Sequence, residues 1–472
     1  MTEGKPDEES QPPSAANAEA TAEKQRKKPV RYIAFYREEK TIYEAIEFNG
    51  APRFLVYCKE DDILSIKDTI EREREVLRPA EKNMVPYEPY RLDQDTWDKL
   101  RNGDLDITKN SLHKEIYQIY DVFMDLESSY KALSAVTDIE SYQQHKMNSI
   151  SYLFYEGAQE SGKTRALELH NFLCYRPLYG IDLPPADIYN YIGEENEALS
   201  SIIEDETELD KPGESQSEKR KIYRSGYTKG AKCPRILEGG SLKRTQKFYC
   251  TFCLKICAGP RLPKNVPLRQ RFVAIPMVTG EPQKDEVEQA DIDQTSNIRV
   301  RLLIWRMKTF FDPLPVSDVP LKGRLKQIWK GKILTAIGTD AEQTILDLAV
   351  KDRDRKLEAM KNTLEAFVLK ALLDLGKQFE WHEIAFDIIW KATLHELDVM
   401  DYETYEGHEA YSDTLGTTIT KQRLGRILSS AFHGEPNLRH KFGRTWKFNK
   451  ETILKIAKKY GLELPTMENF KA

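Results

Sequence analysis

No run in this chain approaches the roughly 18 apolar residues that a membrane-spanning helix needs, so a transmembrane protein is not expected. Six cysteines in 472 residues are too few for a disulfide scaffold and point to a reducing, cytoplasmic setting. The opening MTEGKPDEES is acidic and has no apolar core segment, which argues against a secretory signal. The eight histidines show neither an HExxH pairing nor a nucleophile triad. Neither sign of charge dominates: 71 Lys+Arg face 76 Asp+Glu, a net charge of −5. That balance excludes a protein that coats nucleic acid with its whole surface, but it leaves room for a local basic face. No internal repeat is visible.

The length suggests two to four domains. Residues 1–30 hold only Met1 and Val30 as large apolar residues and read as a disordered tail that ends in a small basic cluster, Lys24 to Lys28. Residues 31–106 read as a small mixed α/β region. Strands are expected at Tyr32–Tyr36 and Phe54–Tyr57, and an amphipathic helix over Asp61–Val76. Ile116, Ile119, Phe123, Leu126, Tyr130 and Leu133 recur at helical steps. Residues 107–295 carry short strands and helices, 296–375 are helical in pattern, and 376–472 form a separate small domain.

One motif is specific. Gly157-Ala158-Gln159-Glu160-Ser161-Gly162-Lys163-Thr164 fits G-x-x-x-x-G-K-[ST] in full. The glycines let backbone N–H groups turn toward a phosphate chain. Lys163 reaches the β- and γ-phosphates, and Thr164 offers its hydroxyl to Mg²⁺. The context is right: an apolar strand candidate, Tyr152–Tyr155, precedes the loop, and a helical pattern from Lys163 to Leu173 comes after it. Such a loop needs an acidic partner at the end of a downstream strand. Leu199–Glu206 supplies one, with Asp205 for Mg²⁺ and Glu206 to polarise the attacking water; Glu204 with Asp205 is the neighbouring register. Cations for developing phosphate charge are expected at Arg269 or Arg271, just before the apolar Val273–Met277, toward a neighbouring subunit's nucleotide. Lys255, inside the apolar run Phe252–Ala258, is a candidate phosphate sensor because a buried lysine is costly without an anion.

The C-terminal part is basic. Between Ile419 and Tyr460 eleven Lys and Arg face Glu435 and Glu451 alone. Thr420 caps a helix with Leu424, Ile427, Leu428 and Phe432 on one face, and Leu438–Phe448 reads as a hairpin. A helix followed by a basic, aromatic hairpin is the pattern of a winged helix. Cys250, Cys253 and Cys257, with Cys233 upstream, have irregular spacing and read as buried strand positions rather than zinc ligands. Asp210–Lys221 reads as a charged surface loop.

The order of these pieces resembles a known group: the phosphate loop, Tyr175–Pro177, the acidic strand, Ser225–Gly230, Leu254–Gly259 and Leu268–Arg271. It is similar, over roughly residues 110–450, to P-loop ATPases of phages, plasmids and archaeal genomes related to AAA+ and superfamily-three-like helicases. The resemblance implies an α/β P-loop ATPase core with ATP and Mg²⁺ as cofactors, and the basic module adds the expectation of a C-terminal winged-helix-like domain with nucleic acid, DNA in the first place, as a partner. The resemblance also implies an oligomer, most simply a ring of about six. It places Lys163 and Thr164 at the phosphates, Asp205 and Glu206 as the acidic pair, Lys255 near the sensor position and Arg271 as the finger. Glu204 and Gln270 depart from the group's pattern. The segment Arg235–Phe248 reads as a hairpin turning at Gly239-Gly240, and the resemblance suggests Lys243 and Arg244 as contacts to nucleic acid. The function expected is an ATP-driven motor on DNA such as a helicase. A slow nucleotide-switched scaffold and a protein-remodelling ATPase are the alternatives.

Overall fold

Alternating apolar residues near the start of the chain form strands that pair into small sheets. A computed structural model describes residues 28–193, 199–205, 207–238, 244–379, 381, 383–399, 407–440 and 443–462. Strands β1 (Val30–Ile33), β2 (Phe35–Arg37), β3 (Thr41–Phe48), β4 (Ala51–Cys58), β5 (Ile63–Lys67), β6 (Ile70–Glu71), β7 (Val76–Pro79) and β8 (Arg91–Leu92) build two of them. Their orders are β1-β7-β6 and β2-β3-β4-β5, with β8 beside β3. The helix expected over 61–76 does not form. Ile63, Leu64 and Ile66 instead lie opposite Cys58, Tyr57 and Leu55 of β4 in an antiparallel pair. A few Ile and Leu among charges fit either period over so short a stretch, and the open edge of β4 decides for strand.

Helices α1 (Gln94–Asn102), α2 (Lys109–Phe123) and α3 (Ser128–Tyr142) lead into the centre of the unit. The central elements are β9 (Tyr152–Gly157), α4 (Lys163–Leu173), β10 (Pro177–Ile181), α5 (Pro185–Ile192), β11 (Ser201–Asp205) and α6 (Glu214–Ser225). Then come the hairpin β12 (Lys232–Glu238) and β13 (Arg244–Cys250), and β14 (Lys255–Gly259), α7 (Val266–Arg269) and β15 (Phe272–Met277). Five strands pair in the order β10-β11-β14-β9-β15, every neighbour parallel. Parallel strands covered on both faces must be apolar throughout. Tyr152–Tyr155, Ile202, Ile203 and Ile256–Ala258 meet that demand, each at most 1% exposed. The segment read as a charged loop, 210–221, is largely helix: it enters α6, whose inner face buries Lys219, Ile222 and Tyr223. Helices α8 (Gln289–Thr309), α9 (Gly323–Ala336) and α10 (Glu342–Lys361) come next.

The chain divides into two units, residues 1–347 and 348–472, with the boundary inside α10. The second contains α11 (Leu364–Phe379), β16 (Ile384–Ala385), α12 (Phe386–Glu396), the hairpin β17 (Glu409–Ser412) and β18 (Thr417–Thr420), and α13 (Lys421–Ser430). It ends with β19 (Glu435–His440), β20 (Gly443–Lys447) and α14 (Lys450–Lys459). Its larger sheet runs β16-β20-β19, antiparallel. Trp381, Trp390, Trp446, Leu424, Leu428 and Phe432 pack in one core.

In the first unit a buried carboxylate joins three distant parts of the chain. Glu44 of β3 is 0% exposed. Its Oε1 accepts from the Tyr175 hydroxyl at 2.7 Å and from Arg306 Nε at 3.3 Å. Arg176 Nη2 lies 3.2 Å from Oε2. Arg306 also donates to His145 Nδ1 at 2.9 Å, and His145 Nε2 lies 3.0 Å from the Phe310 carbonyl, so the ring is held as a neutral imidazole.

Glu44→Ala would leave two guanidinium groups buried without their counter-charge. We expect a loss of about 3–5 kcal/mol in reversible denaturant unfolding; a loss below about 1 kcal/mol would show that the cluster is dispensable. Acid should weaken the same region. Burial, then the Arg306 cation, depresses the His145 pKa to about 2, and burial depresses that of His113 to about 4. Unfolded imidazoles bind protons below about pH 6.5, while the native ones stay neutral. Stability is therefore intact above pH 6.5 and falls as pH drops below it, at up to about 1.4 kcal/mol per pH unit for each histidine. Urea midpoints between pH 7.5 and 5 check this, and His145→Gln should flatten the slope.

Candidate functional site

The carboxyl ends of parallel strands are where an α/β sheet gathers chemistry. β9 ends at Gly157, between the ends of β14 and β15. A Cβ at Gly157 would lie 2.6 Å from the Met277 carbonyl oxygen and 2.6 Å from Ser161 Oγ, so only glycine fits. The chain then turns through Glu160 at φ +61° and Gly162 at φ +81°, the residue that caps α4. Glycine tolerates that conformation without strain. Ser161 Oγ donates to the Ala158 carbonyl at 2.8 Å and braces the loop. Lys163 Nζ donates to the same carbonyl and to Ser161 Oγ at 3.3 Å, so its ammonium sits within the loop. The positive end of α4, an 11-residue helix, adds to this cradle.

Thr164 Oγ1 donates to Asp205 Oδ2 at 2.7 Å. Asp205 is the last residue of β11 and 5% exposed. The structure thus brings Gly157, Gln159, Glu160, Lys163 and Thr164 together with Asp205 at one cavity of about 540 Å³. The Thr164 hydroxyl, the Asp205 carboxylate and the Lys163 ammonium at the start of a helix are groups that a nucleotide phosphate and its divalent cation require, so the residues present fit ATP with Mg²⁺.

Glu204 faces elsewhere. It is 0% exposed, paired with Lys219 Nζ and receiving the Tyr223 hydroxyl from α6. Lys219 is shared with Asp182 at 2.5 Å. The departure from an apolar strand residue is therefore a buried ion pair that fastens α6 to β11. Adjacent strand residues point to opposite faces, so the register that paired Glu204 with Asp205 at the loop is excluded. Glu206 lies outside the described residues.

Two expected cations are not at the loop. Lys255 opens β14 opposite Ile202, at the amino end of the sheet. Gly259, four residues on, is at the loop end, about 13 Å away at roughly 3.3 Å per residue. Lys255 is 0% exposed and is satisfied without an anion. It donates to the carbonyls of Thr251 and Cys253 at 3.0 and 3.2 Å, and its Nζ lies 4.8 Å from the Tyr152 ring centroid. The sensor expectation for Lys255 is thus corrected: carbonyls and ring faces meet the demand that an anion was invoked to meet. Arg271 immediately precedes β15, also at the amino end, with Arg269 closing α7. Of the hairpin contacts, Lys243 lies outside the described residues and Arg244 opens β13.

Besides Lys163, the cations that line the loop cavity are Lys211 and Arg261, the latter lying two residues beyond the end of β14; Glu208 and Asp210 line it too. The signal was present in the sequence: a charged residue within two positions of the end of an apolar strand falls at the end where the phosphate loop sits.

Behind the loop, α4 is anchored by a buried polar network. Asp138 Oδ1 lies 2.6 Å from His170 Nδ1 and accepts from Cys174 Sγ at 3.1 Å. Asp138 Oδ2 accepts from the Tyr120 hydroxyl at 2.9 Å, and His170 Nε2 meets the Tyr155 hydroxyl at 2.8 Å. Asp138, His170 and Cys174 stand close enough together to suggest metal ligands, but hydrogen bonds among protein groups saturate them.

No protein-family model and no curated protein matches the chain. Among solved structures it is similar to the apo C-terminal region of NrS-1, at 11% identity and TM-score 0.35, covering 86% of this chain and 95% of that one. It is also similar to SCCmec type IV Cch, described as an active helicase, at 10% identity and TM-score 0.34, covering 95% and 83%. A third is a Thermotoga maritima RuvB mutant, at 13% identity and TM-score 0.22, covering 71% and 95%. Each likeness is distant; the loop, the strand order and the Thr164–Asp205 hydrogen bond are features of this chain itself.

Asp205→Asn and Thr164→Ala should each weaken Mg²⁺-dependent nucleoside triphosphate binding by about 10- to 100-fold, as expected for loss of a charged hydrogen bond. Glu204→Gln should lower the unfolding midpoint and leave that affinity within about twofold. Calorimetric titration with MgATP checks both. A larger effect on affinity at Glu204 than at Asp205 would reverse the assignment.

Proposed function

We propose that the chain is an Mg²⁺-dependent ATPase of AAA+-like type that acts as a motor on DNA. The observation that carries this reading is the Thr164–Asp205 hydrogen bond beneath a complete phosphate loop. In this reading the loop N–H groups and Lys163 hold the triphosphate, Thr164 and Asp205 hold the cation, and Glu206 orients the attacking water. The bound Mg²⁺ supplies Lewis-acid stabilisation of phosphoryl charge. Arg271 acts on the nucleotide of a neighbouring copy. Its position at the far end of β15, about 20 Å of strand from the loop, supports action between copies rather than within one. A ring of about six is the simplest assembly.

We assign DNA contact to residues 376–472 as a winged-helix-like module. What supports this is the order α11, β16, α12, α13, β19, β20, with the hairpin β17–β18 between α12 and α13, and the sheet order β16-β20-β19. On α13, Leu424, Ile427 and Leu428 are buried, whereas Gln422, Arg423 and Arg426 are exposed. That outer face suits a groove. The hairpin β12–β13, with Arg244 opening β13 and Lys243 next to it in sequence, is the second candidate contact, in a channel between copies.

ATP turnover measured with and without single- and double-stranded DNA tests the reading. DNA should stimulate turnover, and Lys163→Ala should abolish it with the unfolding midpoint retained. Arg423→Ala/Arg426→Ala should raise the DNA concentration needed for half-stimulation and reduce the log–log salt slope of binding by about 0.9 per lost phosphate contact. Turnover indifferent to DNA would favour a protein-remodelling ATPase, and stimulation without strand separation on a fork would favour a nucleotide-switched scaffold.

A further inference from the structure

Gln216, Lys219 and Tyr223 recur at i, i+3 and i+7 along α6 and so share one face of the helix. All three reach the strand ends beside Asp205. Lys219, 1% exposed, donates to Glu204 Oε1, on the residue that precedes Asp205 in β11. The same ammonium donates to Asp182 Oδ1 at 2.5 Å, on the residue just after β10. Gln216 Nε2 donates to both oxygens of Asp182, at 3.2 and 3.3 Å. The Tyr223 hydroxyl donates to Glu204 Oε2.

Asp182 is itself bonded to Asp205. Its backbone N–H donates to the Asp205 carbonyl at 3.1 Å. It does so from a left-handed backbone, φ +41°, which a residue with a Cβ adopts at a cost. Such a conformation persists only where neighbours hold it, and here Lys219 and Gln216 hold its side chain. Glu204 alone would answer the charge of Lys219. The Asp182 side chain is 34% exposed, so water could have served it, yet it is turned to the ammonium. A pair that only fastened α6 to the sheet would need no such second carboxylate.

Asp205 is therefore held from two directions, along the chain through Glu204 and across the sheet through Asp182, and both lines end at one ammonium. The Asp205 carboxylate points to the other face of β11 and meets Thr164. We propose that Lys219 is a positioning residue for that carboxylate: by holding the backbone of Asp205 it sets where the cation ligand stands relative to Thr164. Mg²⁺ demands near-ideal octahedral geometry, whereas Ca²⁺ accepts a looser one. A small displacement of Asp205 is thus felt by the first ion and tolerated by the second. The proposal rests on the reading of Asp205 as a ligand of the nucleotide's cation.

The test is the ATP affinity of the full chain, measured calorimetrically with Mg²⁺, with Ca²⁺ and in EDTA. Two variants withdraw the anchors without stranding a buried charge. Glu204→Leu/Lys219→Met exchanges the buried pair for apolar side chains. Asp182→Gly removes the partly exposed carboxylate and suits the left-handed backbone. Each should lower MgATP affinity by about tenfold or more, as when a group that orients a metal ligand is lost. CaATP affinity should fall less, and affinity in EDTA should stay at the wild-type value. Glu204→Gln, which keeps an acceptor for Lys219, should show none of these losses. If the double variant fails to fold, Asp182→Gly decides alone. A lower unfolding midpoint with the preference for Mg²⁺ over Ca²⁺ intact, or equal losses in all three conditions, overturns the proposal and leaves Lys219 a structural residue. Wild type that binds ATP equally well with and without Mg²⁺ overturns the reading of Asp205 and this proposal with it.

Discussion

Burying one carboxylate organises the first unit. Glu44 is fully buried, so its charge must be answered by the protein, and the answers come from Tyr175 and Arg176 just before β10 and from Arg306 on α8. These segments are far apart in sequence, and the carboxylate is a point at which all of them meet. The cost of desolvating the charges is recovered only when all are present, which makes the arrangement closer to all-or-none than a packing contact of equal area. The Arg306 guanidinium carbon also lies 4.2 Å from the Tyr175 ring centroid, so the aromatic of this motif serves as both hydrogen-bond donor and platform. The amino-terminal sheets are thereby held against β10, the edge strand beside the one that ends in Asp205.

Given that frame, the loop needs little further adjustment. The order β10-β11-β14-β9-β15 sets the ends of β11 and β14 on one side of Gly157. Asp205 therefore reaches Thr164 by strand geometry, and Glu204, one residue earlier, is turned to the opposite face and bound to Lys219. Two neighbouring acids divide between chemistry and structure because the strand alternates.

Much of this was legible in the residues. The phosphate loop, its preceding strand and α4 could be read because glycine, lysine and threonine at fixed spacing leave few alternatives. The cap at Thr420 and the apolar face of α13 were legible for the same reason: period and cap agreed. Other features were not. Ile63–Lys67 pairs as a strand because β4 is available, and nothing local to the segment says so. Lys255 was misplaced because sequence shows that a lysine is buried but not which carbonyls surround it. Lys219 looked like one charge among many in DKPGESQSEKRK, since only the folded chain reveals that Glu204 waits beneath it. Arg261 could have been found by asking which residue comes after each apolar strand, a question about strand ends rather than about motifs.

The network behind α4 has a bearing on how such a chain can drift over time. Asp138, Tyr120, His170, Tyr155 and Cys174 contribute from three helices, a strand and the residue just after α4, and each polar atom is another's partner. A single change, even tyrosine to phenylalanine, strands a neighbour in a dry interior, whereas replacing the group wholesale with apolar residues strands none. Descendants of this sequence are therefore expected to keep the set entire or to have exchanged it entire, with few intermediates. Its inheritance should look like that of one large residue rather than five small ones.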